Sequence, residues 1–304
     1  LAAGGTIICT QYLGQKNHEM ANKSARQALF IITAISVCIV TLGLIFRAPL
    51  LSFIFGKVDA DVMDNSMVYF FYTVLSYPFI ALYDAGASIF RAQENTRGPM
   101  VISIISNVMN IGGNAVLIWV FHMGVAGAAI STLVSRIFCA VVVLYQLRKD
   151  RQPIAVRDYL NIRPDGNMIK RILALGVPSG VENSMFQLGK LAIQSTVSTL
   201  GTTAIAAQAM TNIMEMLNGT AVIGVGIGLM TVVGQSLGAG RKDEAVYYMK
   251  KLMIFSEVFL IACCAIVYAL AKPITMIGGM EPESAKMCLN MIFWITIVKP
   301  LVWM

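Results

Sequence analysis

The sequence predicts an all-α polytopic membrane protein, with two parallel-repeat helical lobes around a central cavity. Composition, the length of the apolar runs and the alternation of charge between them predict the membrane helices, and an internal repeat predicts the two lobes. Of 304 residues, 57% are hydrophobic and only 13% charged, roughly half the charged share of a soluble domain. Such a chain sets most of its surface against lipid. The balance excludes a cytosolic enzyme and a secreted disulfide scaffold. It also excludes a nucleic-acid partner, because the net charge of +7 is spread between apolar runs and forms no wet basic face interleaved with aromatics. The six cysteines lie in or beside apolar runs without CxxC spacing and are expected to pack as small buried hydrophobes.

Taken in order, residues 1–13 read as the end of one helix, and runs follow near 27–46, 66–90, 99–121, 124–147, 172–200, 204–236, 245–271 and 285–304. Each run is about 20 residues or more, enough to cross about 30 Å of hydrocarbon as a helix. They are too long for buried strands, and Gly, Pro and charges separate them. Nine spans result. The chain opens at Leu1 and closes at Met304 inside an apolar run, so an internal segment truncated at both ends is expected, with any targeting signal outside it.

Alternate loops carry sixteen basic residues on one side: Lys16, Lys23 and Arg26; Arg91 and Arg97; seven from Arg148 to Arg171; and Arg241, Lys242, Lys250 and Lys251. The other side carries four, Arg47, Lys57, Lys272 and Lys286, beside the acids Asp59, Asp61, Asp64, Glu281 and Glu283. Cytoplasmic loops keep the excess of Lys and Arg, so the first side faces the cytoplasm. Arg136, Lys190 and Lys299 fall inside spans.

The longest polar stretch, Arg148 to Lys170 with Pro153 and Pro164, reads as a cytoplasmic linker between two halves. At an offset of 224 residues Gln11, Leu13, Gly14 and Ala21 fall on Gln235, Leu237, Gly238 and Ala245, and Pro49 falls on Pro273; at 222, Pro78 falls on Pro300. An even number of spans separates the copies. Both halves therefore enter the membrane in the same direction, a parallel repeat of the kind secondary transporters build around a central cavity. Gly14 and Gly238 end helices beside basic turns, where a left-handed C-cap is expected to fall on Gly.

The stretches V-G-Q-S-L-G-A-G-R-K-D-E-A at 233–245 and C-T-Q-Y-L-G-Q-K-N-H-E-M-A at 9–21, with R-A-Q-E-N-T-R-G-P-M at 91–100, G-V-A-G-A-A-I-S-T at 124–132 and G-T-T-A-I-A-A-Q-A-M at 201–210, resemble the multidrug and toxic compound extrusion (MATE) transporters in order and spacing. The resemblance implies a fold of two six-helix lobes, of which this chain would run from the end of the second helix into the tenth. It assigns 1–148 to the first lobe, 149–170 to the linker and 171–304 to the second lobe. It implies a secondary antiporter, not an enzyme, exporting amphipathic or cationic organic compounds in exchange for H+ or Na+ by alternating access. The expected setting is the cell inner (plasma) membrane, as a multi-pass and monomeric protein whose partners are small organic substrates and the bilayer. No cofactor or metal is expected beyond the coupling ion. A lipid-linked oligosaccharide flippase of the same broader fold is the alternative. Its cavity should be strongly basic, whereas four acids (Asp84, Glu182, Glu215, Glu257) face three basic residues within the spans.

Intramembrane acids are costly and mark candidate sites. Glu182 follows G-V-P at 176–178, where Pro178 frees backbone groups. The sequence departs here from one family pattern, in which the acid comes about one turn later, at the place of Phe186. Glu182 is joined by a polar stripe of Asn183, Gln187, Lys190 and Gln194, and the next helix carries Gln208, Asn212, Glu215 and Gly219. The spacings of three and four put each set on one helix face, reading as walls of a wet cavity or as interhelical hydrogen bonding. Lys190 and Glu215 each lie about 18 Å from the turn near Gly201, which predicts a contact between them. Asn107, Asn110 and Asn114 are read as interhelical hydrogen bonding. Gly224, Gly226 and Gly228 are read as close helix packing, since no strand precedes them as a dinucleotide loop requires.

Overall fold

The computed structural model describes residues 2–55, 60–148, 154–156 and 164–303. Lys57, Asp59, the side chain of Asp61 and the linker positions 149–153 and 157–163 lie outside the described residues. Every regular element among the described residues is helical, and the chain divides into two compact units, Leu1–Val177 and Pro178–Met304. Among the described residues seven stretches are long and apolar enough to cross a membrane: His18–Ile45, Met63–Ala92, Arg97–Val120, Gly124–Leu147, Thr202–Gly238, Lys242–Ile277 and Pro282–Val302. The protein is thus a multi-pass membrane protein. Its lipid side shows in the exposed Ile39, Leu42, Ile104, Ile111, Trp119, Phe255 and Ile261.

The first unit contains α1 (Ala2–Gly14), α2 (His18–Ile45), α3 (Arg47–Phe55), α4 (Ala60–Leu75), α5 (Tyr77–Ala92), α6 (Arg97–Ala115, continued by a π turn at Val116–Val120), α7 (Gly124–Leu147) and the start of α8 (Gly166–Ser198). The single span expected over 66–90 breaks at Ser76, because Pro78 enters α5 at its first turn and cannot donate to the preceding turn. The break is held from outside by Arg136 of α7, whose guanidinium donates to Ser76 Oγ. Helix α7 packs against α4, α5 and α6, and α2 packs against α1 and α5. Small side chains permit the close approach: Ala21, Ala25, Ala85 and Ala92 are buried with Cys9, Leu29, Phe90, Val143 and Leu147 in one core. Four of the six cysteines, Cys9, Cys139, Cys264 and Cys288, are buried as expected, whereas Cys38 is exposed.

The described part of the linker is sewn into this unit. Ile154 and Val156 are fully buried in its core. Their backbone donors are met at 3.0 Å by Gln93 Oε1 for Ile154 and by the Leu147 carbonyl for Val156, while Asn22 Oδ1 accepts from Ala155 at 2.9 Å. Asp165 then caps α8, accepting from Asn167 and Met168 at 3.0 and 3.2 Å, and forms an ion pair with Lys23, which lies on α2 ahead of its apolar run. The hydrogen bond from Lys23 holds the Asp165 carboxyl below its ordinary value of 3.8. A depressed carboxylate stabilises the fold above its unfolded value and stops doing so as pH falls through the folded one. Asp165→Asn, which leaves an oxygen for the cap, is expected to lower the thermal midpoint of the detergent-solubilised protein by about 1–3 °C at pH 7. Below pH 3.8 the difference should fade, and a constant difference across that range would contradict the assignment.

The internal repeat reappears as hydrogen bonds. After α1, Lys16 N donates to Leu13 O and Asn17 N to Tyr12 O; after α9 (Thr202–Gly238), Gly240 N donates to Leu237 O and Arg241 N to Ser236 O. Both are Schellman motifs in register at the 224-residue offset. The left-handed residue is not Gly14 or Gly238, as expected, but the one two positions later: Lys16 at φ +58° and Gly240 at φ +76°. The two glycines are simply the last helical residues, because the motif places its left-handed step outside the helix. Glu94 at φ +63° and Gly279 at φ +62° close α5 and α10 (Lys242–Ile277) in the same way.

The second unit holds the remainder of α8, then α9, α10 and α11 (Pro282–Trp303). The last three pack on one another around Ala207, Met214, Val267, Ala271, Cys288 and Ile292, with Val222, Leu260 and Cys264 as a further apolar cluster. α8 is long enough to span, but Glu182, Asn183, Gln187, Lys190 and Gln194 make its run over 172–200 too polar to join the seven apolar stretches. Gly224, Gly226 and Gly228 correct the close-packing expectation, since no neighbour lies within 4 Å of a side-chain carbon built on any of them. A spacing of two cannot follow one helix face, and the buried face of α9 runs instead through Ala204, Ala207, Thr211, Met214, Asn218 and Val222.

Candidate functional site

Ionisable side chains are scarce in the core of the second unit. Glu215 is the only one on α9. Thr211, one turn earlier, faces α11, with its hydroxyl 3.4 Å from Cys288 Sγ and 3.9 Å from Met291 Sδ. Lys299 continues that face of α11 two turns beyond Ile292. Its side chain reaches back toward the start of its helix, as long helical side chains do. The ammonium thereby lies 3.5 Å from Glu215 Oε1 and donates to the Glu215 carbonyl at 3.3 Å. Gly219 faces the same ammonium: a side-chain carbon there would sit 3.7 Å from it, in ordinary contact. The side chains are 15% and 31% exposed, so the pair is largely desolvated, the regime in which losing one partner is expensive.

Other buried polar atoms on these three helices lack partners among the described residues. Asn218, in the same turn of α9, is fully buried, and neither amide atom has a hydrogen-bond partner among the described residues. Thr296 Oγ1, one turn before Lys299, and Gln208 Oε1 are likewise buried and unpartnered. Glu257 on α10 is 9% exposed, with Oε2 buried and unmatched.

The expected site residues divide into two groups. Glu182, Asn183, Gln187 and Lys190 are exposed along α8. Asn183 Nδ2 donates to the Ser179 carbonyl at 2.8 Å, and the Lys190 ammonium lies 4.9 Å from the Phe186 ring centroid. On α9, Gln208 is buried, Asn212 exposed and Glu215 half-buried. The expected Lys190–Glu215 contact is replaced by Lys299–Glu215. Depth arithmetic put Lys190 and Glu215 level, but helix rotation turns Glu215 toward α11. Lys299 was visible in the sequence as an intramembrane cation. Asn218 was missed, although its position three residues after Glu215 places both near one face of α9.

In the first unit one member of the asparagine stripe, Asn110, bonds across helices, while Asn114 bonds within α6 and Asn107 is exposed. Asn110 Nδ2 donates to Thr132 Oγ1 and Asn114 Nδ2 to Asn110 Oδ1, both at 3.3 Å, and Ser106 Oγ donates to the Ser135 carbonyl at 3.1 Å. Arg91 donates to Ser88 Oγ at 3.0 Å, and Tyr83 donates to the Pro99 carbonyl at 2.9 Å, which joins α5 to the start of α6.

Comparison with known proteins places the chain. The MatE family profile matches residues 1–116 and 178–302. A probable multidrug resistance protein NorM of Thermotoga maritima is 24% identical over 284 residues, covering 92% of this chain and 60% of that protein. A probable multidrug resistance protein YoeA of Bacillus subtilis is 27% identical over 252 residues, covering 80% and 54%. The chain thus spans little more than half the length of these relatives. Among solved structures, a point mutant of the Vibrio cholerae MATE transporter VcmN superposes with a TM-score of 0.85 at 19% identity over 97% of this chain and 66% of that one. A MOP superfamily transporter from Pyrococcus furiosus, whose binding pocket is described as reversed in polarity, gives 0.82 at 19% over 97% and 65%. At such identity these likenesses speak for the fold.

Proposed function

The chain belongs to the MatE family, and from that premise we propose that the protein works as a secondary active antiporter, exporting amphipathic or cationic organic molecules in exchange for H+ or Na+ by alternating access. The observation that carries this reading is the shielded Glu215–Lys299 pair in an otherwise apolar core, on helices that carry other buried polar atoms without partners among the described residues. Such groups are too costly in a bilayer to serve packing alone. The substrate path runs along the polar faces of α8 and α9, with Glu182, Asn183, Gln187 and Lys190 on one and Gln208, Asn212 and Glu215 on the other. Carboxylates there draw an organic cation, and the amides accept its donors or those of water. The excess of intramembrane acids over bases favours this cargo over a pyrophosphate-linked lipid. The protein acts as a monomer in the plasma membrane, with the basic loops inside, and carries out no covalent chemistry.

The test uses the full-length protein in proteoliposomes with ethidium as the probe. Ethidium should accumulate against its gradient when an outward proton or sodium gradient is imposed, and Glu182→Gln should reduce that uptake by about tenfold or more. Absence of uptake under both gradients would refute antiport, and unchanged uptake in Glu182→Gln would remove that residue from the path.

A further inference from the structure

Lys299 and Glu215 hold each other unequally. The ammonium donates a hydrogen bond to the Glu215 main-chain carbonyl at 3.3 Å, whereas its approach to Oε1, at 3.5 Å, is a longer ion contact. The carbonyl is fixed by the helix, but the carboxylate can turn about its own side-chain bonds. Exposure differs in the same sense, 31% for the Glu215 side chain against 15% for Lys299. The carboxylate is therefore the partner that a ligand reaches, and the ammonium is the partner that stays.

A cation that takes the Glu215 carboxylate consequently meets Lys299 as its neighbour. Glu215 is the only charged side chain on α9, and Lys299 is the only one on α11 beyond its first turns, which carry Glu283 and Lys286. The two cancel before any cargo arrives. A singly charged cation then shares one negative charge with the ammonium, in a setting where little water screens the repulsion. A doubly charged cation brings a second positive charge for which the pair has no counter-charge at all. Without the ammonium the order reverses, because a lone carboxylate attracts two charges more strongly than one. The side chain on α11 thus decides how many charges a ligand of Glu215 can carry.

We propose that Lys299 is a selectivity residue, which restricts the cargo to singly charged organic cations by standing beside the carboxylate that receives them. This rests on the organic-cation reading of the site and narrows its substrate class. Lys299 acts through repulsion, so its removal strengthens binding and relaxes the choice between ligands, where loss of an ordinary contact would weaken binding.

The experiment compares two dyes on the full-length protein. Ethidium carries one positive charge, and propidium carries the same ring system with a second, quaternary one. Their dissociation constants are measured by equilibrium dialysis in detergent, and gradient-driven ethidium uptake is followed separately in proteoliposomes. Wild type should bind propidium about tenfold or more weakly than ethidium. Lys299→Met should bring the propidium-to-ethidium ratio of dissociation constants to about one or below, with ethidium itself bound about fivefold tighter. Lys299→Arg should keep the wild-type ratio. Glu215→Gln, which leaves the ammonium unanswered, should raise it. Opposite shifts from the two halves of one ion pair cannot come from a common loss of packing. Lys286→Met, exposed near the other end of α11, should leave both constants as in wild type. Glu257, buried on α10, is the same in every variant, so its charge drops out of the comparison. Equal binding of the two dyes by wild type, or an unmoved ratio in Lys299→Met, overturns the proposal. Should Lys299→Met fail to fold, the ratio in Glu215→Gln decides, and an unmoved ratio there overturns it equally. The expected ratios without uptake under either gradient uphold it and are the failure of the antiport reading instead. Binding of neither dye by wild type overturns the organic-cation reading and this proposal with it.

Discussion

Lys299→Glu and Glu215→Lys will each cripple the full-length protein, and the two together will recover a good part of the loss. Either single change sets two like charges against each other where the side chains are 15% and 31% exposed. Breaking a fully buried pair costs about 3–5 kcal/mol; for this partly exposed one a smaller but clear fall in the thermal midpoint is expected, together with a loss of ethidium transport. The double exchange restores opposite charges, though not the bond to the Glu215 carbonyl, which needs an ammonium on α11. Recovery should therefore be partial. Lys190→Glu combined with Glu215→Lys should show no comparable recovery, because the Lys190 ammonium rests on Phe186. Rescue by Lys190→Glu, or a Lys299–Glu215 double mutant no better than the worse single, would contradict the pairing. Thermal midpoint and transport decide together.

The second large effect concerns the first unit, where α1 meets the start of α8 without any side chain between them. A side-chain carbon on Gly4 would lie 2.6 Å from the Ile172 carbonyl oxygen and 2.9 Å from Gly176 N. Both are helix backbone, so the strain cannot be relieved by turning a rotamer. Gly4→Ala is expected to destabilise by about 1–3 kcal/mol as the helices part, and Gly4→Val by more. Gly112, in the interior of α6 with no neighbour within 4 Å, is the contrast. Gly112→Ala should be neutral or stabilise by about 0.5–1 kcal/mol through backbone entropy. Thermal unfolding of the two variants side by side gives the answer, and equal midpoints would contradict the packing.

Much of the site was legible because the relevant physics is local. A carboxylate or ammonium inside an apolar run is conspicuous wherever it packs, which is why Glu182, Lys190, Glu215, Glu257 and Lys299 could be picked out without coordinates. Pairing was not legible. It depends on rotation about the helix axis, and depth along the axis constrains rotation only weakly. Lys190 and Lys299 were both candidates for Glu215, and the packing of α9 on α11, expressed in the Thr211–Cys288 contact, turned Glu215 toward Lys299. Asn218 was missed for a related reason: a buried amide differs from a lipid-facing one only once its neighbours are known.

The sequence by itself determined that the chain is helical, that it lives in a bilayer, which loops carry the positive charge, and that its two halves repeat. Each follows from composition and spacing, quantities that do not depend on how helices turn against one another. The tertiary structure decided where helices close on glycine, at Gly4 but not at Gly224, Gly226 and Gly228. It decided that the left-handed turn residues are Lys16 and Gly240, and that Ile154 and Val156 of a polar linker belong to a hydrophobic core. It also decided that Glu215 meets Lys299 and which buried polar atoms stay unpartnered among the described residues. These are properties of contacts between distant residues, set by the side chains on the other side of the interface.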